Sequence, residues 1–351
     1  MVLDSQSPER GTLGGPAPPT SRVAVYFEAK IGDAVLTLPA LRALGEIFTA
    51  PLTLICPKVA FDLCFREVSP RLIDTTAFHS GDLPSNRSGD YDALAARVGA
   101  VDLLINTLSF TIPSETFRAL RQRLAPTTSV GFQNDYDSYD IAIPKGVCHS
   151  ADQMFKLAHL FDPSARIETY AQPLPIPPKV QEKARAMRAA LPSGLKVLVV
   201  HADTDWPEKR WPVTRFIDVL DRFLSRRRDF VAWIVGMGHE ELNVGHQGER
   251  VVPHLGLPLD LAMGLVAEAD LFLGIDSSML HAADLARVPG VGLFGPTRSA
   301  TWGFRFGPHI HIDRRNVADI TVEDVLSAME DLAEDRGDSR TTGVRFTFTR
   351  P

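Results

Sequence analysis

Cysteine is scarce in this chain, with three in 351 residues, and Cys56, Cys64 and Cys148 show neither an even count nor a Cys-x-x-Cys spacing. A disulfide framework and a zinc or redox site of that type are thereby excluded, and the three read as buried thiols in a reducing compartment. No run approaches the roughly 18 apolar residues of a membrane helix, so no integral membrane segment is expected. The N-terminal Ser5-Gln6-Ser7-Pro8-Glu9-Arg10 has no apolar signal core, and the expected location is the cytoplasm. Positive charge is not in excess either: 37 Lys and Arg against 43 Asp and Glu leave a net charge of −6. Such a chain has no general attraction to nucleic acid or anionic membrane, so any anion site must be local. A G-x-x-x-x-G-K-[ST] loop is absent, and Gly236-Met237-Gly238 lacks the third glycine of a dinucleotide fingerprint, which argues against ATPase and NAD chemistry. Neither an Asp-x-Asp pair nor a histidine cluster is read as a metal site, and the expected metal and cofactor set is none.

What is present suffices for two cores. Hydrophobic residues make up 44% and charged residues 23%, the balance of a globular protein, and the length fits two domains of roughly 150 residues. Val23-Ala24-Val25-Tyr26-Phe27 reads as a buried strand, followed by a glycine turn and a helix from Ala34 to Leu44, with Pro39 in its first turn or at a kink. Leu52–Cys56, Ala100–Ile105 and Ser129–Phe132 read as further strands, with a helix over Glu115–Arg123. After the proline-rich stretch 171–178 the alternation restarts, with strands at Lys196–Val200, Phe230–Val235, Leu271–Ile275 and Val291–Phe294. Helices are expected between them at Lys179–Leu191, Val213–Ser225, Leu259–Glu268 and Ser278–Ala286. Such alternation predicts α/β domains built on parallel sheets. The expected organisation is a tail at 1–21, a first domain at 22–170, a linker at 171–178, a second domain at 179–334 and a tail at 335–351.

Three segments put chemistry at strand ends, where doubly wound sheets bind ligands. Lys30-Ile31-Gly32-Asp33 opens a helix, so Asp33 is either an N-cap or a carboxylate facing the crevice. His201-Ala202-Asp203-Thr204-Asp205, followed by Lys209-Arg210-Trp211-Pro212, offers the Thr204 hydroxyl and two cations suited to a diphosphate; the alternative is that both cations are solvated. Gly274-Ile275-Asp276-Ser277-Ser278-Met279-Leu280-His281 passes from strand to helix through small hydroxyl residues. Free N–H groups there can hold phosphate oxygens, although serines also cap helices and a lone His281 is also read as a satisfied core residue.

Ile31-Gly32-Asp33-Ala34-Val35-Leu36-Thr37-Leu38-Pro39-Ala40-Leu41, Lys209-Arg210-Trp211-Pro212, Asp276-Ser277-Ser278-Met279-Leu280-His281 and Leu293-Phe294-Gly295-Pro296-Thr297 stand in the order of a known signature. From about Arg22 to His311 the chain resembles glycosyltransferase family nine, the heptosyltransferases. Ser129-Val130-Gly131-Phe132 and His149-Ser150-Ala151-Asp152 are weaker echoes. The resemblance implies a GT-B fold of two facing Rossmann-like domains, with acceptor bound mainly by the first and donor by the second. It implies that Asp33 is the general base, that Lys209 steadies the donor diphosphate, and that the turn at Ser277, Ser278 and Met279 donates N–H groups to the same phosphates. Thr204, Gly236, Asp276 and His281 complete the expected donor side, and Glu28, Lys30 and Asn106 are the acceptor-side candidates.

Members of that family commonly use ADP-heptose without a metal. The expected reaction is therefore inverting transfer from a nucleotide-diphosphate sugar to a saccharide or small-molecule acceptor, either a lipopolysaccharide core or a soluble natural-product intermediate. Departures from the family pattern are Ser278-Met279 in place of Gly-Pro, Ala29-Lys30 in place of small hydroxyl residues, and Ala202-Asp203 in place of Pro-Gly. The last sets a carboxylate near the expected phosphate site. A noncatalytic nucleotide-sugar binding module and a nucleotide-sugar epimerase are the alternatives.

Overall fold

The structure is a computed structural model that describes residues 21–78, 90–109, 114–135 and 137–334 and a short strand at Phe346–Thr347. The first half contributes β1 (Val23–Tyr26), β2 (Thr53–Cys56), β3 (Arg71–Asp74), β4 (Leu103–Asn106), β5 (Thr128–Phe132) and β6 (Ile141–Ile143). The second half contributes β7 (Lys196–His201), β8 (Phe230–Gly236), β9 (Val251–Leu255), β10 (Leu271–Ile275), β11 (Gly290–Phe294), β12 (His309–Asp313) and β13 (Phe346–Thr347). They form two separate sheets, ordered β3-β2-β1-β4-β5-β6 and β13-β12-β11-β10-β7-β8-β9. Every pairing is parallel. Helices cover both faces, so the central strands are buried throughout, which is why they read as continuous apolar runs. This is the GT-B arrangement of two Rossmann-like halves.

The longer helices are α1 (Ile31–Ile47), α2 (Tyr91–Val98), α3 (Glu115–Leu124), α4 (Ser150–His159), α5 (Pro178–Ala189), α6 (Val213–Arg226), α7 (Leu259–Ala267), α8 (Ser278–Leu285) and α9 (Val322–Glu334). Helix α1 begins three residues earlier than the apolar pattern suggests, which puts Pro39 inside the helix rather than in its first turn. Strands β3, β6, β9 and β12 are absent from the sequence reading; in β12 the alternating His309-Ile310-His311-Ile312 breaks the apolar run, and the other three share a different reason. Each lies at or near a sheet edge, and β9 carries Pro253 and His254 with partly exposed positions, so the apolar run that marks a central strand is missing.

Residues 171–177 form neither helix nor strand, and Pro178 opens α5 at its first position, where a missing N–H costs nothing. The stretch is held from both halves. Arg42 of α1 donates to the carbonyls of Tyr170, Gln172 and Pro173 at 3.0, 2.7 and 2.7 Å, and Arg287 donates to that of Ala171 at 3.1 Å. The expected tails lie outside the described residues, apart from Ser21 and β13, which pairs with β12.

In both sheets the strand order reverses beside the first strand of the half, between β1 and β4 and between β7 and β10. The crevice at the carboxyl ends of such strands is where ligands bind in this architecture. Asp33 follows β1, and Asp276 follows β10.

Candidate active site

The first strand of each half delivers its loop to the same place. Lys30, with extended backbone, is the N-cap of α1, so Asp33 stands in the helix's first turn and not at the cap. The Lys30 backbone hydrogen-bonds its carboxylate. Across the crevice Ser277 caps α8, its Oγ accepting from Leu280 N at 3.4 Å. The N–H groups of Ser278 and Met279 have no intrahelical acceptor, as at any helix start.

The two helix starts touch. A side chain at Gly32 would come within 3.3 Å of the His281 ring and 3.7 Å of Ser278 N, so glycine is what lets the α1 backbone approach α8. Two positive helix ends therefore converge on one point, an arrangement that favours a doubly charged anion.

Three charges share that point. Lys209 Nζ donates to Asp276 Oδ2 at 2.7 Å, with both side chains largely buried, and the ammonium lies 4.8 Å from the centre of the Trp206 ring. Lys209 is thus a cleft group and not a solvated surface cation. Burial lifts the Asp33 carboxyl from the usual 3.8 to about 6; neighbouring Asp276 adds to the rise, while the Lys30 backbone and Lys209 oppose it. A carboxylate perturbed in this way has the proton affinity of a base that works near neutral pH. His281 is buried, with Nε2 3.8 Å from Asp276 Oδ1 and Nδ1 without a partner, so it is not a satisfied core residue. Burial pushes its ring down to about 4, and it is neutral at physiological pH.

The profile of glycosyltransferase family 9 (heptosyltransferase) matches residues 136–317, just over half of the chain. The chain belongs to glycosyltransferase family 9. It is similar to lipooligosaccharide heptosyltransferase 2 of Campylobacter jejuni, at 21% identity over 308 residues that span 83% of this chain and 88% of that protein. In fold it is similar to the family 9 glycosyltransferase of Veillonella parvula, with a TM-score of 0.72 and 18% identity over 90% of this chain and 97% of that one. The ADP-heptose lps heptosyltransferase II of E. coli follows, with a TM-score of 0.67 and 15% identity over 90% and 100%.

Other candidates of this family 9 transferase stand elsewhere. Glu28 is buried in the first half, where Tyr26 Oη and Ser114 Oγ both donate to its carboxylate. Asn106 is fully buried, giving Nδ2–H to Tyr139 Oη at 2.8 Å and accepting from Leu108 N at 3.0 Å. Both amide and carboxylate are spent on internal structure. Lys30 reaches across the crevice to Asp205 Oδ2 at 2.7 Å, and Thr204 Oγ1 accepts from Trp206 N at 3.0 Å.

Asp203 does not intrude on the helix starts. It turns back to accept from Met237 N and lies 3.4 Å from His239 Nε2. Its carboxylate fills the space above Gly236, where a Cβ would fall 1.9 Å from Oδ2, so Gly236 serves this turn. Asp203 and Asp205 have the Asp-x-Asp spacing of some cation sites, yet their carboxylates part toward Met237 and Lys30. Among the described residues no group of three or more His, Cys, Asp or Glu is placed to hold a metal ion.

A small recess beside Asp33 is lined by Thr37, Thr107, Ser109, Ser150 and Met154. These residues come from α1, the loop after β4 and α4, and single hydroxyls spread over three segments leave no pattern a sequence reading can detect.

Proposed function

We propose that this transferase moves heptose from ADP-heptose to an acceptor hydroxyl with inversion at the anomeric carbon. The observation that carries the reading is the convergence of two helix starts on Lys209, Asp276 and Asp33. The name of the E. coli relative, an ADP-heptose enzyme, supports the choice of donor. In this scheme the diphosphate lies against the N–H groups of Ser278 and Met279 and draws on Lys209, where leaving-group charge grows in the transition state. Asp33, on the opposite lip, takes the proton of the acceptor hydroxyl as it attacks. A single displacement needs only this one base. Ser109 and Ser150 stand on the acceptor side of Asp33, beside a recess too small to hold a sugar ring, so the acceptor approaches the carboxylate from the wider crevice.

We infer that the reaction uses no metal, because fixed N–H donors and an ammonium supply the positive charge. An iron-containing heptosyltransferase of E. coli shares the fold at a TM-score of 0.55 and 11% identity, so chelation is a necessary experiment.

For the acceptor, a wider recess of about 480 Å³ opens between the ends of β2 and β3 and the start of α7. Asp62, Asp74 and Asp260 line it with one cation, Lys58, which is already bound to Asp62 at 2.5 Å. That charge pattern repels a phosphorylated lipid core and favours a small soluble acceptor without phosphate.

The test is mass spectrometry of the protein incubated with ADP-heptose, other nucleotide sugars and a panel of soluble and lipopolysaccharide acceptors. The expected product is a soluble acceptor heavier by one heptose, with release of ADP. Isomerised donor without acceptor would identify an epimerase, and donor binding without any product a binding module.

A further inference from the structure

Residues 303–307 have no regular secondary structure, yet each of their backbone N–H groups is held by the second half. Gly303 N donates to Ser299 O at 2.7 Å and Phe304 N to His311 Nε2 at 2.8 Å. Arg305, Phe306 and Gly307 donate to the carboxylate of Asp284 at 2.9, 2.7 and 2.8 Å. Asp284 is buried in the last turn of α8, the helix whose first turn faces the crevice. A side chain at position 303 would fall 2.4 Å from His311 Nε2, so the segment is also sterically fixed there.

What the segment offers outward grips the first half. The Gly303 carbonyl accepts from His149 Nε2 at 2.8 Å, while His149 Nδ1 accepts from Ala151 N at 3.2 Å and caps α4. These two partners require the neutral imidazole with its proton on Nε2. The Arg305 guanidinium meets both oxygens of Asp152 at 3.1 and 3.3 Å and Glu168 Oε1 at 3.1 Å. Asp152 lies in the first turn of α4, and Ser150 at its start lines the recess beside Asp33.

We propose that residues 303–307 form a positioning strap, in which Asp284 ties the segment to the donor-side helix α8 and Arg305 ties it to the acceptor-side helix α4. This rests on the donor and acceptor sides assigned above. The physical argument is that a loop with every N–H satisfied from one body cannot drift against that body, so its outward bonds transmit position to the other. The strap thereby sets where Ser150 and the Asp33 recess stand relative to a donor seated on α8. Arg305 is a positioning residue, because it touches none of the groups assigned to substrate.

The test is hydrogen exchange by mass spectrometry on the full chain as wild type, Arg305→Gln and Arg305→Lys, each with and without ADP. Arg305 is partly exposed, so these variants are chosen over replacement of the buried Asp284. Without ligand, Arg305→Gln is expected to speed exchange in α4 about tenfold, and Arg305→Lys to stay within about threefold of wild type. ADP should slow exchange at 276–281 in all three with a Kd unchanged within about twofold, but slow α4 only where residue 305 is cationic. Equal α4 exchange in wild type and Arg305→Gln would overturn the strap. So would ADP protection of α4 that survives Arg305→Gln. If ADP leaves 276–281 unchanged in the wild type, the donor assignment fails instead, and the ligand-free comparison still decides the strap.

Discussion

Replacing Asp33 with asparagine should slow the enzyme and stabilise it at the same time. The carboxyl is raised from 3.8 to about 6 chiefly by burial, so the folded state holds its proton more tightly than the unfolded chain does. Below about pH 3.8 the group is protonated in both states and contributes nothing to the balance. As pH rises through about 6 the folded protein must carry an ionised, poorly solvated carboxylate. At about 1.36 kcal/mol per pKa unit, the ionised group destabilises the fold by up to roughly 3 kcal/mol at neutral pH. Asp33 retains some contact with solvent, so the realised figure is about 1–3 kcal/mol. The amide of the Asp33→Asn variant removes that charge and can still accept the Lys30 backbone hydrogen bond. Thermal unfolding at pH 8 should therefore show a Tm a few degrees above wild type, with the gain shrinking to nothing near pH 4. Turnover should fall by about 10²–10⁴-fold, and wild-type kcat/KM should climb with pH through about 6 before levelling. The signature is opposite movement of stability and rate. Unchanged turnover, or a Tm gain independent of pH, would refute the assignment of Asp33 as a buried base.

For Lys209→Ala, calorimetric titration should show ADP binding weakened about 10–100-fold, the range of a charge-assisted hydrogen bond; unchanged affinity would leave Lys209 as a partner of Asp276 alone. Gly236→Ala should lower stability by about 1–3 kcal/mol, because its Cβ displaces the Asp203 carboxylate from Met237 N; an unchanged Tm would show that the turn can open without loss. Activity should persist after EDTA treatment and dialysis, and loss of activity that Mg²⁺, Mn²⁺ or iron restores would overturn the metal-free reading.

Much of this protein is written locally. The central strands β1, β7, β10 and β11 are largely apolar runs, in β7 the stretch Val197–Val200, because helices cover both their faces, and that burial is a property of each short segment by itself. The motif loops at Asp33, Lys209 and Asp276 are legible for the same reason: they interrupt such runs at strand ends, and their residue types suit an anion. The edge strands β3, β6 and β9 are not legible, since one open side removes the pattern. Nor does spacing tell which polar residue of a loop turns inward. Glu28 and Asn106 sit as close in sequence to the crevice as Asp33 does, yet Tyr26, Ser114 and Tyr139 draw them into the first half. Asp203 is two residues from Asp205, and the tertiary fold sends one to Met237 and the other across the crevice to Lys30. The contact of Gly32 with His281, and that of Arg305 with Asp152, join residues far apart in the chain. Apolar periodicity reports only whether a segment is buried, whereas which charge meets which is decided by how two separately folded sheets pack their strand ends together.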